Sequence, residues 1–400
     1  MTTGEQVSVR HKVSVESLDR PSNRRKIWLA IGGCFFMMCL SSGLVAAFGV
    51  FQDFYTKSWL DNYSPSQISW IGGAQFLIES GLPRLLQKLL PHDFFIQHAI
   101  CGNVMLVLSF FALSMCKKNV YYQVFLAQES TRLPIGGLLY SIILNNLLNG
   151  LIDFTWVIQI SACITLGGLI IANLLILISI RDIEAAANDI ESGQDQNQDQ
   201  EKVEEEPSTP SDTGQEPRPR MTHIVFALTL VAGFILICCS CLNSFYIQLF
   251  VRYHDIHTML TSFAVPLLNF MNCTGRIAAN YAIDRKLLKP STVLTICAVL
   301  GCLSILSKYA ANHPIGLVLV SILSGLFAGG GVTAYLIVTR SIVDRRQDYA
   351  YFLFCIANLV GASALSAPLG RNYAWKISTT VSLIAMLVSS SCGALVNALH

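Results

Sequence analysis

Among the stretches of this chain that run for seventeen residues or more without one Asp, Glu, Lys or Arg are Ile27–Phe51, Thr155–Ile180, Ile224–Leu249, Ser291–Ser307, Pro314–Thr339, Tyr349–Gly370 and Ile377–Leu399. About 20 apolar residues in a helix cross the roughly 30 Å of hydrocarbon in a bilayer. Lipid offers no hydrogen-bond partner to an open strand edge, so such stretches cross as helices. Three more candidates tolerate polar groups: Phe94–Cys116, Thr258–Ile283 with Arg276 inside it, and Ile68–Leu82 with Glu79. Val120–Leu151 is broken near its middle by Pro134 and Gly136-Gly137, and it is expected to dip into the membrane and return. The expected fold is an all-α polytopic membrane protein of about ten full spans plus this broken segment.

Charge supports that class. Only 13% of residues are charged, where soluble domains carry about a quarter. The net charge of +2 is too balanced for a nucleic-acid partner, which needs a clustered basic face. The first apolar run is too long for a signal peptide, and no small-residue cleavage site follows it. Arg24-Arg25-Lys26 stand just before it and hold the N-terminus in the cytosol. With spans alternating from there, nineteen basic residues fall on the cytosolic side and seven outside, with Arg132 unassigned. Lys57, Arg252, Lys308 and Arg371 are among the outside ones.

The expected organisation is a disordered cytosolic N-terminus (1–26), an N-terminal helical bundle (27–180), an acidic linker (181–220) and a C-terminal six-helix bundle (221–400). Asp, Glu, Gln and Pro dominate the linker, which has too few large apolar residues to order itself. The expected address is a multi-pass place in the plasma membrane rather than the vacuole.

Catalytic and cofactor signatures are missing. The chain has no Walker loop, no His-Glu-x-x-His and no Gly-x-Ser-x-Gly, so it reads as no enzyme and as needing no cofactor. Cys238, Cys239 and Cys241 cluster, but no His or carboxylate lies at ligand spacing; the cysteines read as small buried hydrophobes. Gly325, Gly329, Gly330 and Gly331 fall inside an apolar run and read as small residues that let helices pack closely.

Ionisable groups inside spans are costly and mark function. Arg276 is the chief one, and on sequence it is the only basic residue within the depth of an apolar run. Asn269, Asn272 and Arg276 are spaced i, i+3, i+7 and share a helix face. Glu79 stands before Gly81-Leu82-Pro83-Arg84, which reads as a helix end, so it is expected to be interfacial.

Several motifs bear a resemblance. Phe48-Gly49-Val50-Phe51-Gln52, Ile68-Ser69-Trp70-Ile71-Gly72 and Leu268-Asn269 with Gly275-Arg276 resemble monocarboxylate-transporter-like members of the major facilitator superfamily. The nearest branch is the fungal one that includes riboflavin-permease-like proteins. The resemblance runs from about Ile27 to Ala398 and implies two six-helix bundles that rock around a central cavity. It implies a small organic solute, often an anion moved with a proton. In the animal branch an Asp stands four residues before the eighth-helix Arg; here that position is Asn272. Gln128 also runs directly into Glu129, where the family would place roughly 40 further residues of helices four and five.

The resemblance puts Asn243, Tyr246 and Tyr335 beside Asn269, Asn272 and Arg276 as expected solute-binding residues, since helices one, seven, eight and ten should line the cavity. No metal site is expected. The expected function is secondary transport of a monocarboxylate-like solute by alternating access. The alternatives are a riboflavin-like solute, or a non-transporting relative or sensor with the same fold. The expected partners are the lipid bilayer and the solute, carried with or without a proton.

Overall fold

The structure is a computed structural model of the chain. It describes residues 28–29, 31–37, 46–89, 95–129, 153–194, 219–254, 258–310, 314–342, 347–370 and 373–399. Among these the regular structure is helical: α1 (Phe48–Phe54), α2 (Pro65–Leu89), α3 (Phe95–Ser114), α4 (Tyr121–Glu129), α5 (Phe154–Gln194), α6 (Pro219–Tyr253), α7 (Thr258–Asp284), α8 (Pro290–Ser307), α9 (Pro314–Ile342), α10 (Gln347–Ser366) and α11 (Trp375–Leu399). One π-helical turn, Tyr55–Trp59, prolongs α1.

Local chemistry explains where several helices begin. Proline opens α2, α6, α8 and α9, at a position where the missing N–H has no helical partner to lose. Ser64 adds a cap to α2. Its hydroxyl accepts the Gln67 N–H, and the Gln67 side chain accepts the Ser64 N–H at 2.9 Å. This reciprocal box satisfies two orphan donors.

Six described helical stretches are long and apolar enough to cross a membrane: Phe154–Ser179, His223–Tyr253, Pro290–Ser307, Pro314–Ile342, Asp348–Leu369 and Trp375–Leu399. Each coincides with a charge-free run in the sequence. Helices α2 and α7, at 25 and 27 residues, are as long but carry more polar groups. In α7 the helix continues through Pro266, which costs one backbone bond.

Two boundaries differ from expectation. Helix α2 does not end near Glu79 but runs through Pro83 to Leu89, which puts Glu79 inside a helix. Helix α5 runs to Gln194, well into the stretch expected to be disordered linker. The run Ile183-Glu184-Ala185-Ala186-Ala187 explains this, because Ala and Glu have high helix propensity. The rest of the linker, residues 195–218, and most of the segment expected to re-enter, residues 130–152, lie outside the described residues.

The chain forms two compact units. One comprises residues 1–37 and 166–217. Within it Gly33 lies against Ala172, Leu175 and Ile176, close enough that an added Cβ would meet Ile176 at 2.9 Å. The other comprises residues 38–165 and 218–400. Within it α9 packs on α7, α8 and α6, and α10 packs on α2 and α6. Val225, Val338 and Val396 close one end of the packing of α6, α9 and α11.

The glycine run of α9 works as the sequence suggested. A Cβ on Gly325 or Gly329 would collide with the backbone of Leu268 or Asn272 in α7, and one on Gly275 would meet Leu326 O. Close approach of α7 and α9 fixes the rotation of α7 about its axis, and with it the direction of Asn272 and Arg276.

Candidate solute-binding site

Arg276 lies eighteen residues into α7. Its Nε donates to the Asn272 side-chain oxygen one turn earlier, at 3.0 Å. That bond leaves the four N–H donors of the two terminal guanidinium nitrogens for an acceptor. Although protein surrounds it, the Arg276 side chain keeps open surface. This combination describes a group that faces a space rather than a packed interior. Asn269, on the same face, donates through Nδ2 to the Ala46 carbonyl at 3.1 Å and so ties α7 to the residues before α1.

The charged residue whose field reaches Arg276 is Glu79 of α2, which the sequence suggested would be interfacial. Its Oε2 is buried and makes no hydrogen bond. Glu79 and Arg276 interact electrostatically without an ion pair within 4 Å. The signal for Glu79 was present in the sequence as an acid in an apolar run. The following Gly-Leu-Pro-Arg concealed it by suggesting a helix end.

The other three expected residues sit elsewhere. Tyr335 is fully buried; its hydroxyl donates to the Ala350 carbonyl at 2.8 Å, and its ring occupies the space left by Gly233. Asn243 is buried, and its side-chain oxygen accepts the Lys308 ammonium. Lys308 was expected in an outside loop, with Arg276 the lone cation at depth. Its long stem instead carries the ammonium into the protein, where burial lowers its pKa to about 8. Tyr246 donates to the Pro65 carbonyl at 2.7 Å and lies 2.9 Å from the Ser366 hydroxyl. Among the six expected residues, then, the structure brings Asn272 and Arg276 into contact, sets Asn269 on their face, and puts Asn243, Tyr246 and Tyr335 in packed contacts.

Tyr246 belongs to a second polar region, at the Pro65 end of the helices. The Pro65 carbonyl also accepts Gln52 Nε2 of α1 at 2.9 Å. Ser66 donates to the Ser363 carbonyl at 2.8 Å, and the Ser69 and Ser363 hydroxyls lie 3.0 Å apart. Asp53, with its side chain 1% exposed, meets Arg252 Nε at 2.9 Å and Lys57 at 3.8 Å. Burial nevertheless raises the Asp53 pKa, against the pull of Arg252, Lys57 and a Gln248 hydrogen bond. Helices α1, α2, α6 and α10 are thereby bonded to one another at this end. A Cβ on Gly73 would strike the Leu359 backbone, so α2 and α10 touch along their length as well.

Membrane-length helices, close glycine packing and an arginine and a glutamate inside helices are the setting for the comparison with known proteins. The family model described as Major Facilitator Superfamily matches residues 130–367. The chain belongs to the Major Facilitator Superfamily. Its fold is the polytopic helical fold of that superfamily's transporters. The peptide transporter POT matches with a TM-score of 0.60, 13% identity, and coverage of 94% of this chain and 95% of that one.

Among curated relatives, the MFS-type transporter dbaD of Emericella nidulans is 26% identical over 336 residues, covering 76% of this chain and 68% of that protein. The aspyridones efflux protein apdF of the same organism is 25% identical over 355 residues, covering 80% and 66%. The chain thus spans about two thirds of the length of these relatives. Family and fold are those of membrane transporters rather than enzymes.

Proposed function

We propose that this chain is a secondary transporter that moves a small organic anion by alternating access, with the solute held at Arg276. The observation that carries this reading is an arginine deep in α7 with open surface, steadied by Asn272, and facing no ion-pair partner within reach. An anion entering a medium of low dielectric needs a fixed cation, and a guanidinium grips a carboxylate through two parallel hydrogen bonds. Asn272 and Asn269 add neutral hydrogen-bonding capacity on the same face. Tyr246 and Asn243 are proposed as groups that solute contacts when the Pro65 end opens, and Tyr335, bonded to Ala350 near the other end of α10, when that end opens. The solute class is monocarboxylate-like, the branch is the monocarboxylate-like one, and the proposed address is the plasma membrane with the Pro65 end outside. The two bundles and the linker keep the proposed limits of 27–180, 181–220 and 221–400, and helices four and five are proposed to lack residues at Gln128–Glu129.

A second reading is export of larger secondary metabolites, favoured by the similarity to apdF, whose name assigns it aspyridone efflux. A riboflavin-like solute, and a relative that no longer transports, are further outcomes of the same test. The test is uptake of labelled carboxylates, riboflavin and an aromatic polyketide by proteoliposomes that contain the full chain. Carboxylate uptake is expected to fall about tenfold in Arg276→Lys, which keeps the charge but loses the fork, and to vanish in Arg276→Gln. Uptake of carboxylate unaltered in Arg276→Gln, at matched protein content, refutes the anion site. Movement of the polyketide alone supports the second reading, and movement of none supports a non-transporting relative.

A further inference from the structure

We propose that Lys308 and Asn243 form a binding site for a small inorganic anion, of the charge and size of chloride, between α6 and the end of α8. The site is separate from Arg276, and it does not rest on the solute reading given above.

The first observation is a surplus of hydrogen-bond donors. Lys308 opens a single 3-10 turn, Lys308–Ala310, directly after α8. Its ammonium donates to the Asn243 side-chain oxygen on α6. Asn243 is 2% exposed, and the nitrogen of the same amide, Nδ2, is buried and makes no hydrogen bond. An ammonium carries three N–H donors and an amide nitrogen two, and the Asn243 oxygen takes up one of them. Buried donors left over are costly unless an acceptor meets them.

The second observation is a deficit of negative charge. Helix α8 packs on α9, α11 and α6. Across Pro219–Tyr253, Pro290–Ser307, Pro314–Ile342 and Trp375–Leu399 these four helices contain no Asp and no Glu. Among the described residues no carboxylate lies within 4 Å of Lys308: Asp53 is held by Arg252 and Lys57, and Asp61 by Lys118. The group whose field reaches the ammonium is Cys239, whose thiol donates to the Ser382 carbonyl. One turn before Lys308 the Ser304 hydroxyl lies 2.6 Å from that of Ser324 on α9, so these two serve each other.

The protein thus draws a cation into acid-free packing and gives it one neutral acceptor. An unpaired buried charge either gives up its proton or gains a counter-charge, and here the counter-charge must come from solution. Burial alone holds the Lys308 pKa at about 8, and an anion beside it favours the ammonium again. The donor set selects the ion. An ammonium is a compact point charge without the planar fork that suits a carboxylate. A spherical ion accepts N–H groups from Lys308 and Asn243 in any direction, and the near-complete enclosure of Asn243 favours an ion without an organic tail.

The test is equilibrium binding of radioactive chloride to the purified full chain in gluconate buffer at neutral pH. Elution as a single symmetric peak shows that each variant is folded. The wild type is expected to bind about one chloride per chain with saturation, Arg276→Gln to bind it equally, and Lys308→Met to bind none. Asn243→Leu removes the amide donors and is expected to weaken binding about tenfold. Asn243→Asp supplies the counter-charge from within and is expected to abolish binding. Chloride is also expected to raise the melting temperature of the wild type but not of Lys308→Met. Absence of saturable binding to the wild type, or undiminished binding to Lys308→Met, overturns the proposal. Loss of binding in Arg276→Gln with retention in Lys308→Met moves the ion to Arg276 and overturns it as well. Displacement of chloride by pyruvate in Arg276→Gln makes the site one for carboxylates and overturns the inorganic assignment.

Discussion

Two polar regions that share helix α2 differ in whether their opposite charges touch. At the Pro65 end, charges and hydrogen-bonding groups meet: Asp53 touches Arg252, Tyr246 and Gln52 share the Pro65 carbonyl, and Ser66 and Ser69 both reach Ser363. Arg276 and Glu79 instead interact without an ion pair between them, and Glu79 Oε2 stays unbonded. Buried polar groups are normally partnered, so an exception asks for a reason. We attribute the first region to holding one end shut and the second to keeping binding capacity for a solute. Unbonded buried atoms occur in both regions, at Gln52 Oε1 and Asp53 Oδ1 as at Glu79 Oε2, so the lesson lies in whether opposite charges touch rather than in how fully each group is bonded.

The largest effect that could break this contrast is a change in the α7–α9 contact that aims Arg276. A side chain at position 329 must push against the Asn272 backbone. Gly329→Leu is expected to cost about 1–3 kcal/mol of stability by overpacking and to lower the melting temperature of the purified protein. Gly167→Leu, at a position where nothing lies within 4 Å of an added Cβ, is expected to leave it unchanged. Equal effects at the two positions would mean that α9 does not set the rotation of α7.

A second, intermediate effect sharpens the view of Lys308. Its folded pKa of about 8 lies below the usual lysine value near 10.4, so between these values the unfolded chain binds more protons. Stability contributed by this group therefore rises as pH increases from about 8 to about 10. Melting followed across that range should rise more for wild type than for Lys308→Met. Parallel profiles would place the ammonium in water.

The smallest effect concerns Asp53. Because burial outweighs Arg252 and Lys57, its folded pKa lies above the unfolded one. The folded state then binds more protons in the window just above pH 4, and this group's contribution to stability grows as pH falls through its folded pKa. Melting of Asp53→Asn is expected to lose this acid-side gain relative to wild type. A wild type destabilised by acid more than the variant would show that the ion pair, not burial, dominates at Asp53.

Much of the fold was legible because the bilayer imposes a simple rule. Charge-free runs such as Ser291–Ser307 and Pro314–Thr339 became α8 and α9 within a few residues. The glycines of α9 announced a close contact, though not its partner. Arg276 stood out because an arginine in an apolar run is costly. Glu79 was hidden because Pro83 reads as a stop, yet a helix surrounded by others can continue through a proline. Lys308 was misplaced because sequence position locates the Cα, whereas a four-carbon stem locates the charge. Asn243, Tyr246 and Tyr335 were polar residues in apolar helices, and such residues serve packed hydrogen bonds as readily as solute. The acidic stretch after residue 180 was read by composition, and its Ala-rich start proved helical.

The central claim is that the Pro65 end must open and close while the solute is held at Arg276. The most direct measurement is a cross-link between cysteines placed at Ser69 and Ser363, whose hydroxyls lie 3.0 Å apart on α2 and α10. Proteoliposomes bearing Ser69→Cys and Ser363→Cys together are compared with each single variant, which controls for the native cysteines. Oxidation of the double variant is expected to stop pyruvate uptake, reduction to restore it, and pyruvate binding to the purified cross-linked protein to survive. Undiminished uptake by fully cross-linked protein would contradict the claim.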